Sequence, residues 1–334
     1  MSTQLDLVPV KPTTAIVGEP DTRKHSKWFR LLVNDRVAAA AAVVLGLVFL
    51  TGIVGPTLVG NLATHIDLDN SNQAPFTLAH GWANLLGTDP LGRSMLARLI
   101  VACSTTLSVA IPAVVISGVV GSAIGMWAGY YRGWRETVAM RVADVIMSFP
   151  SLLLAVVVLY VFSPSAANIV LVLAITRIPV YLRTARAESA ELQSRLFVDA
   201  ARTFGASAQA IIWRHVMPVV LPTLLTVATL DFCYVMLAES SLSFLGIGIQ
   251  PPDISWGLMV SQGRTYLHTA WWLSFFPGLA IVITTVSATI LAAWARIATD
   301  PGQRWRLTVP QKRLSRFTIC KVDSVHECGI VAAD

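Results

Sequence analysis

Six apolar runs, each long enough to cross a lipid bilayer, constrain this chain more than any single motif. A hydrocarbon layer about 30 Å thick needs about 20 largely apolar residues in a helix that rises about 1.5 Å per residue. Runs of that kind cover residues 37–59, 106–128, 140–162, 167–182, 221–245 and 271–297. The fourth is short and carries Arg177. Within lipid, every backbone N–H and C=O must be satisfied internally, and runs of this length do so as helices. Composition agrees: 54% of the residues are apolar and 13% charged, against about 45–50% and about 25% in soluble domains. The expected fold class is an all-α membrane protein with six transmembrane helices.

Basic residues set the orientation, because loops kept in the cytoplasm are enriched in Lys and Arg. Of the 25 basic residues, 22 lie in the N-terminal tail, around Arg132–Arg141, in residues 177–214 and in residues 296–321. The segments on the opposite side hold only Arg93, Arg98 and Arg264. Both termini are therefore expected to be cytoplasmic. Polar residues 1–36 precede the first run, whose length exceeds a signal peptide's apolar region, so that span is expected to be retained. The net charge of +6 is distributed between spans. Basic clusters with interleaved aromatics on a polar background, the mark of a nucleic-acid partner, are missing. Cys103, Cys233, Cys320 and Cys328 are too dispersed for a disulfide framework and read as free thiols.

The domain organisation follows from these spans. Residues 1–36 form a cytoplasmic tail and 37–59 the first transmembrane helix. Residues 60–105 form an external loop, in which Leu91, Met95, Leu96 and Leu99 have the spacing of a helix lying in the membrane interface. Residues 106–302 form a core of five further spans, and 303–334 a second cytoplasmic tail. The second external loop, 246–270, brings Trp256, Tyr266, Trp271 and Trp272 near the boundary, as in an aromatic belt.

Between the fourth and fifth runs, residues 183–220 form the longest cytoplasmic loop. Phe197, Ala200, Ala201 and Phe204 fall on one helical face, Asp199 and Arg202 lie beside it, and Gly205 stops the helix. That face either packs on the membrane domain or fits a groove on a cytoplasmic partner.

These residues resemble the cytoplasmic signature of ATP-binding-cassette (ABC) importer membrane subunits. Asp199-Ala200-Ala201, Gly205, Ile212 and Pro218 match it, with aspartate where the family has glutamate. The resemblance extends to the C-type subunit of dipeptide and oligopeptide permeases through four further tracts. They are Leu86-Gly87-Thr88-Asp89 with Leu91-Gly92-Arg93; Ala128 to Tyr131 with Met140, Arg141, Asp144 and Ser148-Phe149-Pro150; Glu239 with Leu242 to Gly246; and Gln250-Pro251-Pro252 with Ser255-Trp256-Gly257. Near the end of the run, Asp300-Pro301 and Arg296 fit, whereas Ala293 and Ile297 stand where the family has acids.

The resemblance implies a type I ABC importer permease fold in the bacterial cytoplasmic (inner) membrane. It also implies a second homologous permease, two ATP-binding subunits and an extracytoplasmic substrate-binding protein as partners. The substrate would be a dipeptide or oligopeptide, and related subunits carry nickel, glutathione or other small solutes. The segment 183–220 would hold the coupling helix, with Phe197, Asp199, Ala200, Ala201, Arg202, Phe204 and Gly205 facing an ATPase subunit.

No Gly-rich loop ending in Gly-Lys-Ser or Gly-Lys-Thr occurs in the sequence. The chain is thus expected to bind no cofactor, with ATP and Mg held by partner subunits, and no catalytic arrangement is visible. His326 between Cys320 and Cys328 lacks the paired spacing of a zinc site, so no metal is expected. Ionisable groups within spans default to functional candidates, which makes Asp144, Asp231 and Glu239 candidates for the translocation path, or else partners of Arg141 or of neighbouring hydroxyls. Gly121, Gly125 and Gly129 leave one flat face for close helix approach. Pro112, Pro150 and Pro179 are expected to kink or end helices. The alternative from another class is an ion-coupled secondary transporter, which midplane acids would suit but which leaves the amphipathic cytoplasmic loop without a purpose.

Overall fold

The computed structural model describes residues 32–76, 82–162 and 165–299. In chain order its helices are α1 (Arg36–Thr64), α2 (Met95–Tyr131), α3 (Trp134–Ser148), α4 (Ser151–Phe162), α5 (Ala166–Leu192), α6 (Leu196–Thr203), α7 (Ala208–Ile211), α8 (Met217–Phe244), α9 (Trp256–Gly263) and α10 (Trp272–Thr299). A π-helical turn, Ile212–Val216, joins α7 to α8. Pro218 has no N–H to donate to the carbonyl four residues back, and the widened turn accommodates that loss. No strand occurs among the described residues.

Side chains are distributed inside-out relative to a water-soluble bundle. Val43, Leu47, Leu50, Ile53 and Leu58 of α1, with Val115 and Val119 of α2, face outward. Small residues line the inner faces: Ala38, Ala41, Gly52, Gly55 and Ala63 on α1. An apolar exterior with a small-residue interior is what a lipid solvent favours.

The glycine stripe does what its spacing predicts, against α5. A Cβ on Gly121 would lie 2.6 Å from the Ile178 carbonyl oxygen, and one on Gly129 would lie 2.5 Å from that of Arg186. At Gly125 the clash would be with the Leu182 carbonyl. Backbone therefore meets backbone over three successive turns, and α2 and α5 form the most extensive helix pair.

The third expected span is not one helix. Its residues belong to α3 and α4, which meet at 84°. Phe149, with φ −92° and ψ 136°, has left the helical region, as the residue before a proline prefers, and Pro150 cannot donate back into the ladder. Pro112 and Pro179, by contrast, sit inside continuous α2 and α5. Five helices are thus long and apolar enough to cross a bilayer, and the bent pair makes a sixth span if counted as one.

The first loop also differs from expectation. Leu91 to Leu99 does not form a separate interfacial helix: α2 starts at Met95, capped by Ser94 Oγ accepting from Ala97 N at 3.2 Å, and runs unbroken to Tyr131. Met95, Ala97 and Arg98 are buried. Trp256 and Trp272 are likewise internal rather than part of a belt. Trp256 Nε1 donates to the Leu99 carbonyl at 2.9 Å, and Trp272 Nε1 donates to that of Thr88 at 3.1 Å. These two indoles tie α9 to the start of α2 and α10 to the first loop. Trp271 and Tyr266 remain exposed.

Candidate functional site

The end of the bundle opposite those loops carries α6, eight residues long. Its C-terminus closes with Gly205 N–H donating to the Arg202 carbonyl at 2.9 Å and Ala206 N–H to that of Ala201 at 3.0 Å. This pair of bonds requires a left-handed residue between them, which Gly205 supplies at φ +80°. Arg202 anchors the helix sideways: its Nε donates to Tyr130 Oη at 3.3 Å, and its guanidinium lies 5.2 Å from the centre of that ring. Asp199 pairs with Arg202 at 3.4 Å.

Val198 is the inward residue of α6. It packs in a core that contains Met126 and Tyr130 of α2, Tyr181 and Ala185 of α5, and Ile211, Ile212 and Val216 beyond the loop. Ala201 packs against the same core, so it belongs to the inner side rather than to the outward face expected for it. The outward face carries Phe197, Ala200 and Phe204, with Leu196 exposed beside them. Phe204 is 91% exposed. α6 therefore presents aromatic rings outward while its inner side is keyed to α2, α5 and the start of α8.

The three intramembrane acids are all engaged within the chain. Asp144 on α3 forms an ion pair with Arg183 of α5, not with Arg141. Glu136, also on α3, pairs with Arg186, so two salt bridges fix the bent helix to α5. Asp231 on α8 is 1% exposed and pairs with Arg177 of α5. The Arg177 guanidinium also stacks 4.1 Å from the centre of the Tyr234 ring. Tyr234 Oη in turn shares a 2.5 Å hydrogen bond with Ser151 Oγ, which brings α4 into the cluster.

Glu239 is wholly buried, and it faces serines instead of an open path. Ser243 Oγ lies 2.8 Å from Glu239 Oε1 and accepts from Ile249 N–H at 3.1 Å. Ser240 Oγ contributes a longer contact of 3.5 Å. This carboxyl pins the turn after α8 and has no cation partner among the described residues. Within the Asp231 cluster, Asp231 is buried, while Arg177, with 20% of its side chain accessible, Tyr234 and Ser151 are partly exposed. Arg177 was legible as an ionisable group inside an apolar run, but its pairing with Asp231, 54 positions away, was not.

Nothing among the described residues gathers three or more metal-ligating side chains. Cys103 and Cys233 are free and buried. Cys320, His326, Cys328 and both tails lie outside the described residues, as does Asp300-Pro301.

Comparison with known sequences completes the picture. Residues 121–304 match the family described as the binding-protein-dependent transport system inner membrane component. The chain belongs to this family. Among its relatives, a peptide transport system permease protein of Brucella abortus biovar 1 (strain 9-941), provisionally so named, is 36% identical over 272 residues, covering 81% of this chain and 90% of the relative. A D,D-dipeptide transport system permease protein of Escherichia coli K12, also provisionally named, is 34% identical over 86% of this chain and 96% of its own length. The glutathione transport system permease protein of Pectobacterium atrosepticum is 31% identical over 82% of this chain and 89% of its own.

The chain is therefore a multi-pass permease subunit of an ABC importer in the bacterial inner membrane, with the type I permease fold. The ion-coupled alternative falls with the family match.

Proposed function

We propose that this chain forms half of a translocation path for dipeptides or short oligopeptides and is driven through α6 by separate ATPase subunits. The substrate class rests on the relatives, two of which are named for peptides or D,D-dipeptides and one for glutathione, itself a small peptide. ATP and Mg belong to the partner subunits, since this sequence has no phosphate-binding loop. The complex holds a second permease chain, two ATP-binding subunits and an extracytoplasmic binding protein. Both termini face the cytoplasm, in keeping with the 22 basic residues against 3 across alternate segments.

The observation that carries this reading is the exposure of the Phe204 ring on a helix whose other side is locked into the protein. A partner that binds α6 moves α2, α5 and α8 together, because Val198 belongs to one core with residues of all three. Such a partner shifts the equilibrium between inward-open and outward-open states only through contacts that differ between them. Phe197, Phe204 and Ala200 supply those contacts, Asp199 and Arg202 flank them, and Gly205 and Ala201 hold the helix in shape. Arg177, held by Asp231, is the ionisable group of the path, while Asp144 and Glu239 brace its walls.

The test is uptake of a labelled dipeptide into proteoliposomes holding the whole complex, with ATP supplied on the nucleotide-binding side. Phe204→Ala touches no core residue, so assembly of the permease pair is expected to survive while ATP-dependent uptake is lost. Full uptake by Phe204→Ala and by Gly205→Asp refutes the coupling role of α6. Uptake of no peptide by a complex that hydrolyses ATP in response to another solute refutes the substrate class alone.

A further inference from the structure

At the end of the bundle away from α6, the first loop, the first turn of α2, α9 and the start of α10 enclose a cavity of about 410 Å³. Its wall brings two guanidiniums to one carboxylate. Asp89 Oδ2 accepts from Arg93 Nε at 2.7 Å and from Arg98 Nη1. Asp89 Oδ1 is taken by the backbone N–H groups of Leu91 and Arg93, both at 2.9 Å. One cationic charge is therefore left over. Asp67, on the same loop, accepts from Asn70 Nδ2 and does not line the cavity.

One of the two guanidiniums is buried. Arg98 is only 4% exposed; its Nη2 donates to Gln262 Oε1 at 3.1 Å, and its Nε reaches no acceptor. Arg93 is partly exposed, and among the described residues its Nη1 and Nη2 groups are bonded to nothing. Buried cations ordinarily carry a matched anion, and here the match is incomplete. Met259 and Leu273 add an apolar wall, and Tyr266 lines the rim. An unmatched guanidinium pair beside an apolar wall in a cavity of this size suits a small organic acid.

We propose that this cavity is a carboxylate-binding site, in which the acid group meets the free Nη groups of Arg93 above the buried charge of Arg98. Such a site accepts the carboxylate of a released solute or that of an acidic side chain on the docked binding protein. The ligand chemistry is the same in both cases. It does not depend on the substrate being a peptide.

The experiment uses the assembled complex in lipid nanodiscs. Binding of Ala-Ala, its C-terminal amide and N-acetylglycine is measured by equilibrium titration, for the wild type and for Arg93→Gln. If the ligand is a released solute, both acids bind, the amide binds at least about tenfold more weakly, and Arg93→Gln removes that difference, as the loss of a charge-assisted contact predicts. In the second arm the binding protein itself is titrated. If the carboxylate is a protein side chain, the small acids do not bind, and Arg93→Gln weakens capture of the binding protein about tenfold, an effect that shrinks as salt rises. Equal binding of acid and amide to the wild type, together with unchanged capture of the binding protein by Arg93→Gln, overturns the proposal. The acid-against-amide comparison needs no variant, so poor folding of Arg93→Gln does not shield it. N-acetylglycine binding without peptide uptake refutes the peptide assignment and leaves the cavity's role intact.

Discussion

Replacing both members of the Arg177–Asp231 pair should do less harm than replacing either one. Asp231 is 1% exposed and has one cation, Arg177, which also stacks on Tyr234. Removing one partner of a buried ion pair costs about 3–5 kcal/mol, because an uncompensated charge stays behind, whereas replacing both by apolar groups is often neutral or stabilising by about 1–4 kcal/mol. Polar couplings measured in membrane helices are smaller, about 0.6 kcal/mol on average and up to about 1.7. Arg177→Met and Asp231→Leu alone should therefore each destabilise the permease by about 2–4 kcal/mol, between these two scales. The double variant should recover at least half of the summed loss. The assay is a double-mutant cycle on the complex in micelles, read by reversible chemical unfolding, with dipeptide uptake measured on the same four proteins. A coupling below about 0.5 kcal/mol would match independent sites and refute the reasoning that the two charges form one unit. Uptake adds a second discrimination: a double variant that is stable but does not transport makes Arg177 a substrate contact, whereas one that transports makes the pair structural.

Other substitutions test other parts of the argument. Gly125→Val forces side-chain atoms into the Leu182 carbonyl and Ala185, and should cost about 1–3 kcal/mol as overpacking does, measured as a lower yield of folded protein and a lower Tm. Glu239→Gln keeps an acceptor for Ser243 and should transport normally, while Glu239→Ala loses assembly; impaired uptake by a well-folded Glu239→Gln would assign the charge itself a role in the path. Trp272→Phe leaves the Thr88 carbonyl without its indole donor and should destabilise by about 1–3 kcal/mol, seen as faster proteolysis of the first loop in intact complex.

How much of this was legible beforehand differs from site to site. The α6 signature was readable because its information is local: an apolar face at helical spacing, then a glycine whose φ of +80° only a residue without Cβ adopts freely. The glycine stripe was readable for the same reason, since a four-residue period marks one face of one helix. The partners of the acids were not. Asp144 and Arg183 are 39 positions apart, and Arg141, nearer in sequence, was the wrong choice. Ala201 shares the outward face by spacing alone, yet a short helix can roll, and burial of Val198 rolled it inward. The break at Phe149 was signalled by Pro150, but Pro112 and Pro179 carry the same signal inside unbroken helices. A proline states that a hydrogen bond is missing; the neighbours decide whether the helix survives.

The sequence by itself determined the solvent, the number of apolar runs, the side on which charge accumulates and the amphipathic helix α6. Each of these depends on composition or on periodicity within one segment, where the relevant distances are a few residues. Tertiary structure alone decided that Trp256 and Trp272 are internal braces instead of a headgroup belt, and that Glu239 faces serines. It also decided that Arg93 and Arg98 converge on Asp89 beside an apolar wall. Those outcomes depend on which helices become neighbours, and in lipid that choice is made by backbone approach at small residues and by pairing of buried polar groups, neither of which has a period in the sequence.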